Sequence, residues 1–282
     1  MNVTVSSAWL IENMSEDLSI IDCRFSLQEP KQGRKLYEES HIPGAVYFDL
    51  NEDLSGEVKE HGGRHPLPAE KDFIEKLESA GISNSSAVVV YDGGEAAFAS
   101  RFWWLLNYYG HDKVFILNGG FKEWTAQGFP VEKEVKTKQR GNFKAQTRPE
   151  MKADIDEIKQ IINGKTASLL IDSRSYDRYI GQHEPIDRVA GHIPGAIHRD
   201  WMDGVSKGFF LKDEEQANRF SEWEKDRPIV VYCGSGVTAT PNIIALKQAG
   251  FKNVKLYPGS YSDWVSYDEN EIELGDSTHF EK

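Results

Sequence analysis

The chain repeats itself. IIDCR (20–24), HIPGA (41–45), AVVVYDGG (87–94) and LNGGFKEW (117–124) in the first half return as LIDSR (170–174), HIPGA (192–196), PIVVYCGS (228–235) and YPGSYSDW (257–264) in the second. The order is the same and the spacings nearly so: Asp22 precedes His41 by 19 residues and Asp172 precedes His192 by 20, while Asp92 precedes Trp124 by 32 and Cys233 precedes Trp264 by 31. Such self-similarity restricts the chain to two copies of one domain. The copies differ in the middle, where 51 residues separate His41 from Asp92 but only 41 separate His192 from Cys233. The extra residues of half one fall most simply in the polar stretch EDLSGEVKEHGGRHPLP (52–68). Lengthening a loop costs little, and loops are where function is commonly added.

Within each copy, short β-branched runs alternate with amphipathic segments. SIIDCR, AVVVYD and KVFILN, with SLLIDSR, PIVVYC and NVKLY, read as buried strands; KDFIEKLESAG, ASRFWWLLNYYG and PNIIALKQAG read as helices closed by glycine. Alternation of this kind predicts an α/β fold, each copy a mostly parallel sheet flanked by helices on both faces. The lysine-rich segment 131–150 lacks apolar periodicity and is expected to be a linker. The expected organisation is therefore a first domain over 1–130, a linker over 131–150 and a second domain over 151–282.

Charge narrows the partners. A formal net charge of −12 argues against nucleic acid and against an anionic membrane. No apolar run approaches the ~20 residues that span a bilayer, and the N-terminus lacks the features of a secretory signal, so a cytoplasmic protein is expected. An anionic substrate would have to be held by a few local arginines against an unfavourable global field. The chain has two cysteines, Cys23 and Cys233, too few for a disulfide framework and without metal-ligand spacing, so no metal is expected.

Their surroundings decide what the two thiols do. Cys23 lies in the IIDCR strand, with Ser173 at the matching position of half two, and reads as structural. Cys233 ends a strand and opens VVYCGSGVTAT (230–240), where Gly234 and Gly236 make a tight turn into a helix starting near Pro241. Ligands of open parallel sheets bind at the carboxyl ends of strands, where this loop sits. Glycines allow backbone N–H groups to curl toward the sulfur, and a helix N-terminus adds partial positive charge; both favour a thiolate, or a persulfide anion. The flanking glycines, Gly234 and Gly236, are expected to leave the thiol exposed. A phosphate-binding loop is weakened by the missing GxxxxGK[ST] pattern. A cysteine phosphatase, which needs Cys-x5-Arg, fails because the arginine position holds Ala239. Half one carries Asp92 where half two carries Cys233, so the first copy is expected to be non-catalytic.

The tandem repeat, the HIPGA boxes, the exchange of aspartate for cysteine and CGSGVTA together resemble the tandem-domain rhodanese family, over nearly the whole chain. The resemblance implies two rhodanese-like domains, an active site between the halves, and a six-residue active loop from Cys233 through Gly234, Ser235, Gly236 and Val237 to Thr238. CGSGVT is similar to the branch of the family that acts on 3-mercaptopyruvate; members acting on thiosulfate tend to carry cations directly after the cysteine. From the same resemblance, Arg178 and Arg188 would hold the substrate's carboxylate and carbonyl, and Ser235, His65 and Asp53 would form a proton relay. Arg174, beside Asp172, reads as a structural ion pair.

What this implies is a sulfurtransferase with a two-step cycle and no cofactor. A small anionic sulfur donor loads Cys233 as a persulfide, and a thiol acceptor such as thioredoxin, or cyanide, removes the outer sulfur. Two other expectations stand beside it: thiosulfate as the donor, and a sulfur-relay carrier that takes sulfur from a partner protein.

Overall fold

The computed structural model describes residues 3–15 and 17–276. The chain divides into two compact units, one of residues 1–56, 67–148 and 206–210, the other of residues 57–66, 149–205 and 211–282. Each half of the repeat thus gives a short segment to the other's unit: 57–66 joins the second unit and 206–210 joins the first. The expected boundaries shift accordingly. Residues 131–148, expected as linker, belong to the first unit, because Phe143 is buried there, the Gly141 amide donates to the Glu78 carbonyl at 2.8 Å, and Glu132 bridges to His41 through the backbone.

The first unit contains β1 (Thr4–Val5), α1 (Ser7–Asn13), β2 (Leu18–Asp22), α2 (Gln32–Glu39), β3 (Ala45–Tyr47), α3 (Glu70–Ser79), β4 (Ala87–Tyr91), α4 (Ala97–Tyr108), β5 (Val114–Leu117) and α5 (Gly120–Ala126). Its sheet has the order β1-β5-β4-β2-β3 and all its ladders are parallel. The central strand β4 reads AVVVY and is buried over its last four residues, as a strand covered on both faces must be. Every residue of α4 is buried too, which explains why AFASRFWWLLNY is apolar almost all round.

The second unit contains α6 (Ile155–Ile162), β6 (Leu169–Asp172), α7 (Tyr176–Tyr179) and β7 (Ile197–His198), then β8 (Val205–Ser206), whose last residue, like β9 (Phe209–Phe210), belongs to the first unit. It continues with α8 (Asp213–Arg219), β10 (Ile229–Tyr232), α9 (Ala239–Gln248), β11 (Val254–Leu256) and α10 (Ser260–Trp264). The sheet order is β11-β10-β6-β7, again parallel. Ile158, Leu170, Val230, Tyr232, Tyr261 and Trp264 lie in its core. Among the described residues no helix is long and apolar enough to cross a membrane.

The repeat survives at the level of single contacts. In the first unit Asp22 binds Arg24, Tyr91 donates to Asp22 at 2.7 Å, and the His41 ring stacks on Tyr37 at 4.1 Å with Nδ1 on the Tyr37 carbonyl. In the second unit Asp172 binds Arg174, and His192 stacks on Tyr179 at 3.9 Å with Nδ1 on the Tyr179 carbonyl. These buried pairs tie the first strand of each copy to its HIPGA turn: Arg24 Nη2 reaches the Ser40 carbonyl and Arg174 Nη2 the Gly191 carbonyl, each at 2.7 Å. Burial pushes the Asp172 carboxyl up, but the charge and hydrogen bonds of Arg174 outweigh it and hold the group below its usual range.

Candidate active site

The loop after β10 is shaped by α10. Amides of Tyr261 and Ser262, at the start of that helix, donate to the carbonyls of Cys233 at 3.0 Å and Gly234 at 2.9 Å. With those carbonyls tied down on one side, the turn closes on the other, and the Gly236 amide donates to Cys233 Sγ at 3.2 Å. Gly236 has φ of +75°, and a Cβ there would run into the Pro258 carbonyl, so this position admits glycine on two counts. The Cys233 amide itself donates to Ser260 Oγ at 3.2 Å. Ser260 takes φ of +56°, a left-handed conformation that costs a non-glycine residue about 1–3 kcal/mol. Helix α9 follows from Ala239, two residues earlier than Pro241 suggests, so its N-terminus faces the loop.

The expectation that flanking glycines expose the thiol is not met: Cys233 is 1% exposed. The freed space is used by other side chains. A Cβ on Gly234 would lie 2.9 Å from Arg64 Nη2 and 3.3 Å from Arg178 Nη2, so two guanidiniums rest where a side chain would otherwise project. Beside them, His65 Nδ1 and Ser235 Oγ are 2.7 Å apart. Arg64 and His65 both come from segment 57–66, the part of half one that belongs to the second unit. That segment is fastened by the Gly62 amide on Asp263 at 2.7 Å, the Arg64 amide on Ser262 Oγ at 3.1 Å, and a His61–Tyr267 stack at 3.9 Å.

A chain of alternating charge runs from the core to these guanidiniums. Arg174, bound to Asp172, also donates to Glu184 at 3.2 Å, and its guanidinium lies 3.9 Å over the Tyr261 ring. Glu184 takes Arg178 Nε at 3.0 Å and the amides of Ile186 and Asp187 at 3.0 Å each. Asp187 accepts from Arg178 Nη2 at 2.8 Å and pairs with Arg64. Burial raises the Glu184 carboxyl, yet Arg178 and the two amides bring it below its usual value. Burial also raises Asp187, and there it prevails over the opposing charges of Arg64 and Arg178. Three cations and three anions alternate along this chain, which leaves the cluster near neutrality.

The structure thus brings Cys233, Gly234, Ser235, Gly236, His65 and Arg178 together, and adds Arg64, which the sequence reading missed. Val237 lies buried between Gly236 and Thr238, and Thr238 forms the N-terminal boundary of α9. Arg188 is placed differently. Its side chain is 53% exposed and donates to the Val265 carbonyl and to Asp268, the latter at 2.8 Å. Asp187 turns inward and its neighbour outward, so adjacency in sequence was a poor guide. Asp53 belongs to the first unit, where its oxygens take the Asp49 amide at 2.7 Å and Lys76 Nζ at 3.0 Å.

Cys23 is also buried, with its amide on the Tyr91 carbonyl at 2.7 Å. Burial and the nearby charges of Asp22 and Asp92 push its thiol well above the usual range, which disfavours reactivity. In the first unit's own loop, Asp92 accepts from the amides of Gly94 at 3.0 Å and of Ala96, Phe98 and Ala99 at 3.1 Å each.

Two parallel α/β units, one following a central strand with a cysteine held by a glycine turn and the other with an aspartate, define a tandem-domain protein whose copies differ at this loop. The rhodanese-like domain model matches residues 6–127 and again 154–267, and the chain belongs to the rhodanese family of sulfurtransferases. A probable 3-mercaptopyruvate sulfurtransferase of Pseudomonas aeruginosa is 41% identical over 274 residues, covering 95% of this chain and 96% of that protein. The thiosulfate sulfurtransferase of Mus musculus is 32% identical over 275 residues, covering 92% and 91%. The solved structure of a 3-mercaptopyruvate sulfotransferase of Escherichia coli superimposes with a TM-score of 0.83 at 32% identity, covering 93% of this chain and all of that one.

Proposed function

We propose that the protein takes sulfur from 3-mercaptopyruvate, holds it as a persulfide on Cys233 and passes it to a thiol or to cyanide. The observation that carries this reading is the Gly236 amide directed at Cys233 Sγ, with Ser235 and His65 joined alongside. The Cys233 thiolate attacks the donor's thiol sulfur. The carbon–sulfur bond breaks, its electrons pass to the carbon as the enolate of pyruvate, and the sulfur with its proton stays on Cys233. The Ser235–His65 pair supplies the proton that turns enolate into pyruvate. Asp53, with its oxygens already engaged, is left out of this relay. In the second step an acceptor thiolate or cyanide attacks the outer sulfur and Cys233 leaves as thiolate, which closes a ping-pong cycle.

The donor must reach a buried sulfur. What lies over Gly234 is the far end of two long side chains rather than backbone, and Arg178 offers its guanidinium to the incoming carboxylate. The mercaptopyruvate relative at 41% identity and the CGSGVT loop favour this donor over thiosulfate. Thiosulfate is the second reading, favoured by relatives such as the mouse thiosulfate sulfurtransferase and by the two cations at the loop. Turnover on both donors with cyanide as acceptor separates the two: a higher kcat/KM on mercaptopyruvate is expected, and a higher value on thiosulfate overturns the choice. Sulfur accepted only from a partner protein, with neither small donor used, would instead make the chain a relay carrier.

A further inference from the structure

We infer that Arg64, not Arg188, is the second guanidinium that recognises the donor's carboxylate, so that donor specificity is set partly by segment 57–66. This inference rests on the carboxylate-bearing donor proposed above. Recognition of a planar α-keto acid calls for two converging forks of donors beside the nucleophile. Arg178 supplies one. Its Nε and Nη2 are on Glu184 and Asp187, and Nη2 and Nη1 lie 3.3 and 3.5 Å from the point a Gly234 Cβ would occupy. Arg64 supplies the other: Nη1 is held by Asp187, and Nη2 lies 2.9 Å from that same point. One buried carboxylate therefore anchors both cations, and the nitrogens turned toward Gly234 sit one residue from Cys233. Arg188 is directed to the Val265 carbonyl and to Asp268 at the surface.

The fastening of the segment supports the same assignment. Its backbone is held by Ser262 and Asp263, and Gly63 is pressed so close to the Gly259 carbonyl that a side chain there would collide with it. These contacts do not involve the Arg64 side chain. Were the segment only a structural clasp, it would be complete without a guanidinium aimed at the loop. The side chain is 32% exposed, so its removal leaves no buried charge behind except at Asp187, which keeps Arg178.

The test measures binding and turnover together. Pyruvate, the product that keeps the α-keto carboxylate, is titrated calorimetrically into Cys233→Ser protein carrying in addition Arg64→Ala, Arg64→Lys or Arg188→Ala. KM and kcat for 3-mercaptopyruvate are measured on the same Arg64 and Arg188 changes with Cys233 intact. Loss of one charge-assisted fork is expected to weaken pyruvate by about tenfold in Arg64→Ala and to raise KM by a similar factor with kcat within about twofold. Arg64→Lys should recover part of the loss, and Arg188→Ala should bind as the parent does. Unchanged pyruvate affinity in Arg64→Ala, or a loss in Arg188→Ala as large as in Arg64→Ala, overturns the inference while leaving the mercaptopyruvate reading intact. Failure of the Cys233→Ser parent to bind pyruvate, with no turnover of mercaptopyruvate by the intact protein, overturns both.

Discussion

The loops that follow β4 and β10 begin alike and end differently. In each, the amides opening the next short helix pin the first two carbonyls: Phe121 and Lys122 hold Asp92 and Gly93 at 2.8 and 3.3 Å, as Tyr261 and Ser262 hold Cys233 and Gly234. In the first loop the aspartate's own oxygens then collect four amides, two of them from the first turn of α4. The cradle is filled by a fixed carboxylate, not by a thiol. In the second, sulfur occupies the same place and takes the Gly236 amide, with Ser235, His65, Arg64 and Arg178 gathered around. The lesson is that a turn shaped to hold negative charge is a scaffold both copies share. Chemistry depends on which atom fills it and on what the inserted segment brings to its side.

The most severe way to break the comparison is to remove the filling atom. Cys233→Ser should lower turnover by more than about 10³-fold, while Cys23→Ser stays within about twofold, as read by cyanide-dependent product formation. Equal losses would mean that the two buried thiols are not distinguished by their loops. A large effect is also expected away from the sulfur, at the ion pair both copies share. Asp172→Asn leaves Arg174 buried beside one remaining anion, Glu184, and should cost about 3–5 kcal/mol of unfolding free energy at neutral pH. The native Asp172 carboxyl is depressed, so its contribution is present above the ordinary carboxylate pKa and is lost as pH falls through the lower native one. Urea unfolding of parent and variant should therefore converge on acidification; a gap independent of pH would refute this.

Much of this was legible in the chain. The six runs read as strands are strands, and the three segments read as helices are helices, because β-branched alternation and 3.6-residue periodicity act locally. The helices left unread, α1, α2, α5, α6, α7, α8 and α10, are eight residues or fewer, too short to hold their shape without tertiary contacts. At the site, the strand–glycine–helix punctuation marked the loop of Cys233, and the insertion marked the segment that supplies His65 beside Ser235. The insertion's destination could not be read, since Arg64 and Gly234 are brought together only by folding. GGRHP beside the expected His65 was the available signal. Thiol exposure was misjudged because missing side chains at Gly234 were read as open space, whereas packed proteins fill such space.

Smaller changes sharpen the contrast. Ser260 and Gly120 occupy matching places and both take positive φ, +56° and +59°, but only the copy with Cys233 places a side chain there. Ser260→Gly relieves the strain and removes the acceptor of the Cys233 amide. Thermal stability should hold or rise by up to about 1 kcal/mol, while turnover falls by roughly tenfold. A variant both as stable and as active as the parent would make the serine incidental. Smaller still is the relay: Ser235→Ala should slow the mercaptopyruvate half-reaction by roughly fivefold to tenfold, and Asp53→Asn by less than about twofold, in single-turnover assays. A larger loss in Asp53→Asn than in Ser235→Ala would return the aspartate to the relay.

Mass spectrometry of the protein treated with 3-mercaptopyruvate and freed of excess donor tests the central claim most directly. A gain of one sulfur atom on the peptide containing Cys233, reversed by cyanide, is the predicted result. No gain, or a gain on the peptide containing Cys23, would contradict the account.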